Sequence, residues 1–278
     1  MGNINYRTLN DLNSSTIKNM HKIPSSVDLI VAIPRSGLLF GNIIALYLNK
    51  PITTVEMLLR GEIIEHGTTR YIENNSVFKH LLIVDDTSNT GNSILTAKHK
   101  LREINASKTY LCAYVNKRSK RFVDIFFEVI EHPRIFQWNI MHSWFNRKSV
   151  YDLDGVLCEN PKVDYDGPLY IKEIENAKPK FIPYETIDII CSCRLEKYRE
   201  ITEKWLRDNK VKYNSLCLMD YATKAERLRD GKHGEYKGKV FRDSKCDTFF
   251  ESDFNQAKTI KSMNPNKNVF CVDNMTFV

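Results

Sequence analysis

The chain has 278 residues, 42% of them hydrophobic, which suits two domains, each near the roughly 150-residue norm and each with its own core. No apolar run approaches the roughly 20 residues that span a bilayer, and the polar opening residues lack the pattern of a secretory leader, so a soluble, cytoplasmic protein is expected. The net charge of +7 suits anionic ligands, but basic and acidic residues alternate and no nucleic-acid-reading motif accompanies them, which argues against dedicated nucleic-acid binding.

Short apolar runs bounded by polar turns read as buried strands. In chain order, the run at 29–33 ends in Pro34-Arg35-Ser36-Gly37 and precedes a helical pattern at 38–48. The run at 81–84 ends in Asp85-Asp86-Thr87-Ser88-Asn89-Thr90-Gly91, followed by a helical pattern at 93–104. The runs at 149–151, 187–191 and 248–250 end in Asp152-Leu153-Asp154-Gly155, Ser192-Cys193-Arg194 and Glu251-Ser252-Asp253, and helical patterns at 196–209 and 255–263 follow the last two. Such repetition predicts an α/β chain of two doubly wound parallel sheets, with ligands at the carboxyl ends of the strands. The expected domains are 1–115 and 147–278, joined by a connecting segment, 116–146, that begins charged and becomes aromatic-rich. The seven cysteines lack zinc-site spacing and read as small buried thiols in a reducing compartment.

The second loaded turn carries chemistry. A buried strand delivers Asp85 and Asp86 to its end, where two carboxylates can accept hydrogen bonds. Small residues follow, so backbone N–H groups can approach a phosphate at the start of a helix. The segment Leu81-Leu82-Ile83-Val84-Asp85-Asp86-Thr87-Ser88-Asn89-Thr90-Gly91-Asn92-Ser93 resembles the phosphoribosyl pyrophosphate (PRPP) signature of type I phosphoribosyltransferases. The resemblance implies that Thr87, Ser88, Asn89, Thr90, Gly91, Asn92 and Ser93 hold the 5-phosphate, and Asp85 and Asp86 the ribose. It implies a pyrophosphate loop at Arg35, Ser36 and Gly37, and a closing loop at 58–71 with Arg60, His66, Gly67, Thr68, Thr69 and Arg70. Purine-salvage relatives carry an Asp where this chain has Asn89, and a neutral amide cannot act as a base at pH 7, which argues against purine salvage.

Val150-Tyr151-Asp152-Leu153-Asp154-Gly155-Val156-Leu157 resembles the first motif of haloacid-dehalogenase-like (HAD) hydrolases. That resemblance implies Asp152 as the nucleophile that becomes an aspartyl phosphate, and Asp154 as the acid and base two residues on. It implies Ser192 as a phosphoryl-holding hydroxyl, and Lys237, with Lys239 second, as the lysine of the family. Hard oxygen ligands for Mg²⁺ would come from Asp152, Asp154, Glu251 and Asp253. The intervals between these motifs leave room for only a small cap, and so for an open site.

A PRPP transfer leaves a ribose that still carries its 5-phosphate, and a phosphatase on the same chain could strip it, removing the product from attack by pyrophosphate. This layout resembles bacterial two-step ribofuranosylation in polysaccharide synthesis. It implies a glycan or lipid-linked glycan acceptor, with peripheral contact to membrane-bound glycan assembly enzymes. One inversion at the α-configured C1 of PRPP would give a β-ribofuranoside. Two other readings stay open: a nucleobase phosphoribosyltransferase coupled to nucleotide dephosphorylation, and a PRPP-sensing, RNA-binding regulator.

Overall fold

The computed structural model describes residues 4–64, 77–162 and 166–278. The chain divides into an N-terminal unit, Ile4–Trp138, and a C-terminal unit, Asn139–Val278. The N-terminal unit runs β1 (Asn5–Arg7), α1 (Leu9–Asn19), β2 (Leu29–Ala32), α2 (Gly37–Leu48), β3 (Ile52–Thr54), α3 (Val55–Leu59), β4 (His80–Ser88), α4 (Asn92–Lys100), β5 (Ser107–Val115), β6 (Ile125–Val129) and β7 (Arg134–Phe136). Five strands form a parallel sheet in the order β3-β2-β4-β5-β6, and β1 pairs with β7 apart from it. Continuous apolar runs become strands here because both faces are covered. Ile30, Ala32, Leu82 and Val84 pack with Leu12, Phe40 and Ile44, while Leu29, Val31, Leu81 and Ile83 pack with Ile94, Ala97 and Leu101. That alternation is the period of two that a strand imposes.

The expected boundary at residue 115 moves to 138. Residues 125–129 (Ile-Phe-Phe-Glu-Val) suit an edge strand and pair with β5, Leu111 opposite Ile125 and Val115 opposite Val129. Phe127 meets Phe40 edge-on at 5.5 Å, and Phe136 stacks on Tyr114 at 5.4 Å. The aromatic residues of this stretch therefore complete the first core. Two expected strands are also longer than their apolar runs. β4 continues through Asp85 to Ser88 because β5 accompanies it, and β9 (Ile187–Leu195) continues beyond Cys191 because β10 (Tyr213–Met219) follows it through a register shift to pair Met219 with Leu195.

The C-terminal unit runs β8 (Ser149–Tyr151), α5 (Pro168–Glu175), β9, α6 (Arg199–Asp208), β10 (Tyr213–Met219), α7 (Lys224–Asp230), α8 (His233–Asp243), β11 (Thr248–Glu251), α9 (Phe254–Met263), β12 (Asn268–Cys271) and β13 (Thr276–Phe277). Its sheet has the order β10-β9-β8-β11-β12-β13, parallel except for β13. One face packs Val150, Cys191, Phe249 and Val269 against Phe241, Ala257 and Ile260. Tyr151 stacks on Phe250 at 4.3 Å, and Phe250 lies 5.6 Å from Phe270. Between β8 and β9 the described residues hold one short helix, α5, whose Tyr170 and Ile174 pack with Leu195, Tyr198 and Met219. No helix among the described residues is long and apolar enough to cross a membrane. All seven cysteines are free thiols.

Each sheet reverses its winding once, between β2 and β4 in the first unit and between β8 and β11 in the second. In open α/β sheets the crevice at such a reversal is where ligands bind.

Candidate functional site

β2 ends where Ala32 pairs with Val84, so Asp85 and Asp86 stand just past it, at the reversal. Ser36 Oγ donates to Asp86 Oδ1 at 2.7 Å, and Trp138 Nε1 donates to Asp86 Oδ2 at 2.7 Å. The Asp86 N–H donates to Asp85 Oδ1 at 3.0 Å. Burial, reinforced by the neighbouring Asp86 charge, pushes the Asp85 carboxyl up from 3.8 to about 8. Gly37 opens α2 against these acids. A Cβ there would lie 3.0 Å from the Val84 carbonyl and 3.2 Å from Asp85 Oδ1, so only glycine lets the helix start so close. Arg35 lies exposed in the turn, after a cis peptide bond from Pro34. Of the expected closing loop, Arg60 pairs with Glu62, while His66, Gly67, Thr68, Thr69 and Arg70 lie outside the described residues.

The turn within the segment expected to hold phosphate is short: Thr87 and Ser88 end β4, and Asn92 and Ser93 begin α4, leaving Asn89, Thr90 and Gly91 to make it. Gly91 has a φ of +88°, and a Cβ would fall 2.2 Å from the Phe122 ring. Gly91→Ala should therefore cost about 1 to 3 kcal/mol of stability from backbone strain alone, read by denaturant melts, and Phe122→Ala in the same chain should recover only the steric share. The loop is braced from β5 and from beyond β6. Asn116 Nδ2 donates to the carbonyl and the Oδ1 of Asn89, at 3.0 and 2.9 Å, and His132 Nε2 lies 2.8 Å from the same Oδ1. Ser119 Oγ and Arg134 Nη2 both donate to the Ser88 carbonyl at 2.8 Å.

The second constellation gathers around a cavity of about 340 Å³ lined by Asp152, Asp154, Ser192, Arg194, Arg227, His233, Lys237, Glu251 and Asp253, among others. Asp152 follows β8 directly, and its N–H donates to the Phe250 carbonyl at 2.9 Å. Glu251 ends β11. From α8, Lys237 Nζ reaches both carboxylates, Asp152 Oδ2 at 2.9 Å and Glu251 Oε2 at 2.7 Å, and Gln256 Oε1 at 3.0 Å. Lys237 is 2% exposed, whereas the second-choice Lys239 is exposed and lines a different cavity. Burial and the Glu251 charge push the Asp152 carboxyl well above its usual range, although Lys237 opposes them. Gly155 turns the chain at a φ of +84°, where a Cβ would lie 2.3 Å from Ser252 Oγ.

The four acids expected to bind metal do not converge as four. Asp154 is held by Arg194, with Nη2 2.6 Å from Oδ1 and Nε 3.0 Å from Oδ2, and Asp253 caps α9 by accepting from the Gln256 N–H at 2.8 Å. Among the described residues no group of three or more His, Cys, Asp or Glu is arranged to hold a metal. Asp152 and Glu251 alone share one cation. Two ionised carboxylates against one ammonium would carry a net negative charge in a low-dielectric place, which is costly and pushes Asp152 towards its protonated form. Hard carboxylate oxygens of this kind suit a divalent cation by their chemistry.

The phosphoribosyl transferase domain family matches residues 6–144, half of the chain. The chain belongs to the phosphoribosyl transferase domain family. Part of it is 30% identical over 95 residues to the orotate phosphoribosyltransferase of Sulfolobus acidocaldarius, covering 34% of this chain and 46% of that protein. It is 37% identical over 76 residues to the orotate phosphoribosyltransferase of Pyrobaculum islandicum, covering 27% and 37%. The matches thus span less than half the length of either relative. The Helicobacter pylori xanthine-guanine-hypoxanthine phosphoribosyltransferase structure covers 50% of this chain and 95% of its own, at 14% identity and a TM-score of 0.39.

In the phosphoribosyl transferase domain, Asp85, Asp86, Ser36 and Gly37 come together, and Asn89, Thr90 and Gly91 form the turn into α4. Trp138, Asn116, Ser119, His132 and Arg134 belong to none of the sequence motifs and reach the site from the stretch expected to be a connector. In the C-terminal unit the motifs named Asp152, Asp154, Ser192, Lys237 and Glu251, all on one cavity, but gave Arg194 no role. A signal for it existed: Ser192 and Arg194 are two apart on one strand and so share a face.

Proposed function

We propose that this protein transfers 5-phosphoribose from PRPP to a hydroxyl of a glycan or lipid-linked glycan and then removes the 5-phosphate, leaving a ribofuranosyl unit. The observation that carries the two-step reading is the pair of sites at the two sheet reversals. One is built of acids and a short small-residue turn, the other of a buried Asp152 on one cavity with Ser192 and Lys237. In the first, Asp85 and Asp86 accept from the ribose hydroxyls, Asn89 to Ser93 take the 5-phosphate, and Arg35 meets the pyrophosphate that leaves C1. In the second, a HAD-like phosphatase, Asp152 attacks phosphorus while Ser192 and Lys237 hold the phosphoryl oxygens. Asp154 can give a proton to the leaving ribose oxygen only once the guanidinium of Arg194 has released one of its own oxygens. Asp152 and Glu251 would hold Mg²⁺, whose charge counters that of the phosphate.

Incubation with Mg²⁺, PRPP and synthetic glycan acceptors, with nucleobases in parallel, tests this by mass spectrometry. A glycan gaining plain ribose supports the proposal. Nucleotide and nucleoside products would replace it with base transfer, the second reading, which draws on the orotate phosphoribosyltransferase names of the two relatives.

Asp85→Asn separates stability from function. A carboxyl whose folded pKa is raised from 3.8 to about 8 binds a proton more tightly in the folded state, so it withdraws stability as pH rises between those values. The Asn variant should melt higher than wild type at pH 8 and about equally at pH 4. Above pH 8, where the wild-type carboxyl is ionised, it should bind PRPP more weakly by calorimetry, since a ribose hydroxyl loses an anionic acceptor. A flat comparison across pH would refute the buried-acid account.

A further inference from the structure

We infer that His132 is the base that takes the acceptor's proton during phosphoribosyl transfer, a role that serves the hydroxyl acceptor proposed above. This inference rests on the transfer reading above.

The argument starts from a backbone amide. The Ser119 N–H can only donate, and it meets Asn116 Oδ1 at 2.7 Å, which settles which end of the Asn116 amide is oxygen. Its other end, Nδ2, must then donate, and it faces the Asn89 carbonyl and Oδ1. The Asn89 atom so faced is therefore oxygen, and an amide oxygen only accepts. His132 Nε2, 2.8 Å from that oxygen, must carry the hydrogen. In the neutral ring Nδ1 is then left with its lone pair. A chain of three fixed hydrogen bonds thus selects the tautomer and holds the ring. Orienting a catalytic imidazole through one nitrogen and leaving the other basic is how a general base is prepared.

The placement suits the role. Asn89, Asn116 and His132 follow the carboxyl ends of β4, β5 and β6, three adjacent strands, at the edge where Asp85 and Asp86 stand. Asn89 begins the turn that leads to Gly91 and α4, and both Asn89 and His132 are exposed. Asn89 cannot remove a proton itself, and here it aims a residue that can. Of the charged groups nearest His132 in the chain, Glu131 Oε1 accepts from the Lys117 N–H at 2.8 Å and Arg134 Nη2 donates to the Ser88 carbonyl, while Lys117 and Arg118 are exposed beside Asn116.

In the step, the acceptor O–H gives its proton to His132 Nδ1 as the oxygen forms its bond to C1. The bond from C1 to the pyrophosphate oxygen breaks, and pyrophosphate leaves with the electron pair. A hydroxyl needs this help more than a ring imide does, because it is the far weaker acid.

The test compares wild type, His132→Gln, His132→Ala and Asn89→Asp in the full chain. It measures PRPP affinity by calorimetry and transfer from PRPP to a synthetic glycan hydroxyl and to orotate. His132→Gln should bind PRPP as wild type does, yet transfer to the hydroxyl roughly 10²- to 10⁴-fold more slowly and without the loss of rate at acidic pH that a titrating base imposes. Added imidazole should restore part of the rate in His132→Ala. In Asn89→Asp the carboxylate should favour the imidazolium and shift that acid limb to higher pH. Wild-type rates in His132→Gln, or an unchanged acid limb, overturn the assignment. So does lost PRPP affinity in His132→Gln, which would leave bracing the loop as the whole part of His132. If wild type transfers to no acceptor at all, the transfer reading itself fails, a result distinct from any of these.

Discussion

Asp152→Asn should lower phosphate-monoester hydrolysis on the order of 10⁴-fold or more while leaving PRPP-dependent transfer untouched. The amide keeps the shape of the side chain but cannot attack phosphorus. It also removes one of the two carboxylates that share Lys237, so Lys237 and Glu251 remain as a balanced buried pair. The variant should therefore fold at least as well as wild type, and its lost activity will report chemistry. With PRPP and an acceptor it should accumulate the phosphoribosylated product, visible by mass spectrometry as a species heavier by one phosphate. Equal loss of both activities in a folded variant would sink the two-site account.

Lys237→Met should do the opposite to stability. It leaves Asp152 and Glu251 buried and facing one another with no cation between them, and breaking a buried ion pair from one side typically costs roughly 3 to 5 kcal/mol. The variant should unfold at markedly lower denaturant concentration near neutral pH. Part of the loss should return as pH falls and a carboxyl takes up a proton, because the raised Asp152 pKa already favours the neutral form. Combining it with Asp152→Asn should restore much of the stability, since one unpaired charge is then gone. If the double variant is as unstable as the sum of the two single ones, the three groups are not coupled.

Much of this molecule was legible before any coordinates. Four apolar residues followed by Asp85 and Asp86, and Val150-Tyr151 followed by Asp152, state locally that a strand ends in acids. A strand buried on both faces needs no partner's identity to be recognised. The same holds for Gly91 and Gly155, whose left-handed turns leave room for nothing larger. Residue type, order and short spacing therefore determined the two parallel sheets, the acids at their reversals and the turn into α4.

Tertiary structure alone decided what those acids face. Trp138 reaches Asp86 across 52 residues of chain, Lys237 reaches Asp152 and Glu251 across 85 and 14, and Arg194 claims Asp154 across 40. No local pattern encodes such pairings, because they depend on strand order and on where each helix crosses the sheet. Hence Asp154 and Asp253, which read as metal ligands, are an ion-pair partner and a helix cap, and the aromatic stretch after β5 is the edge of the first sheet. A side chain's chemistry is written at its position; its charge state and its partner are set by burial and by neighbours that only the folded chain brings within 3 Å.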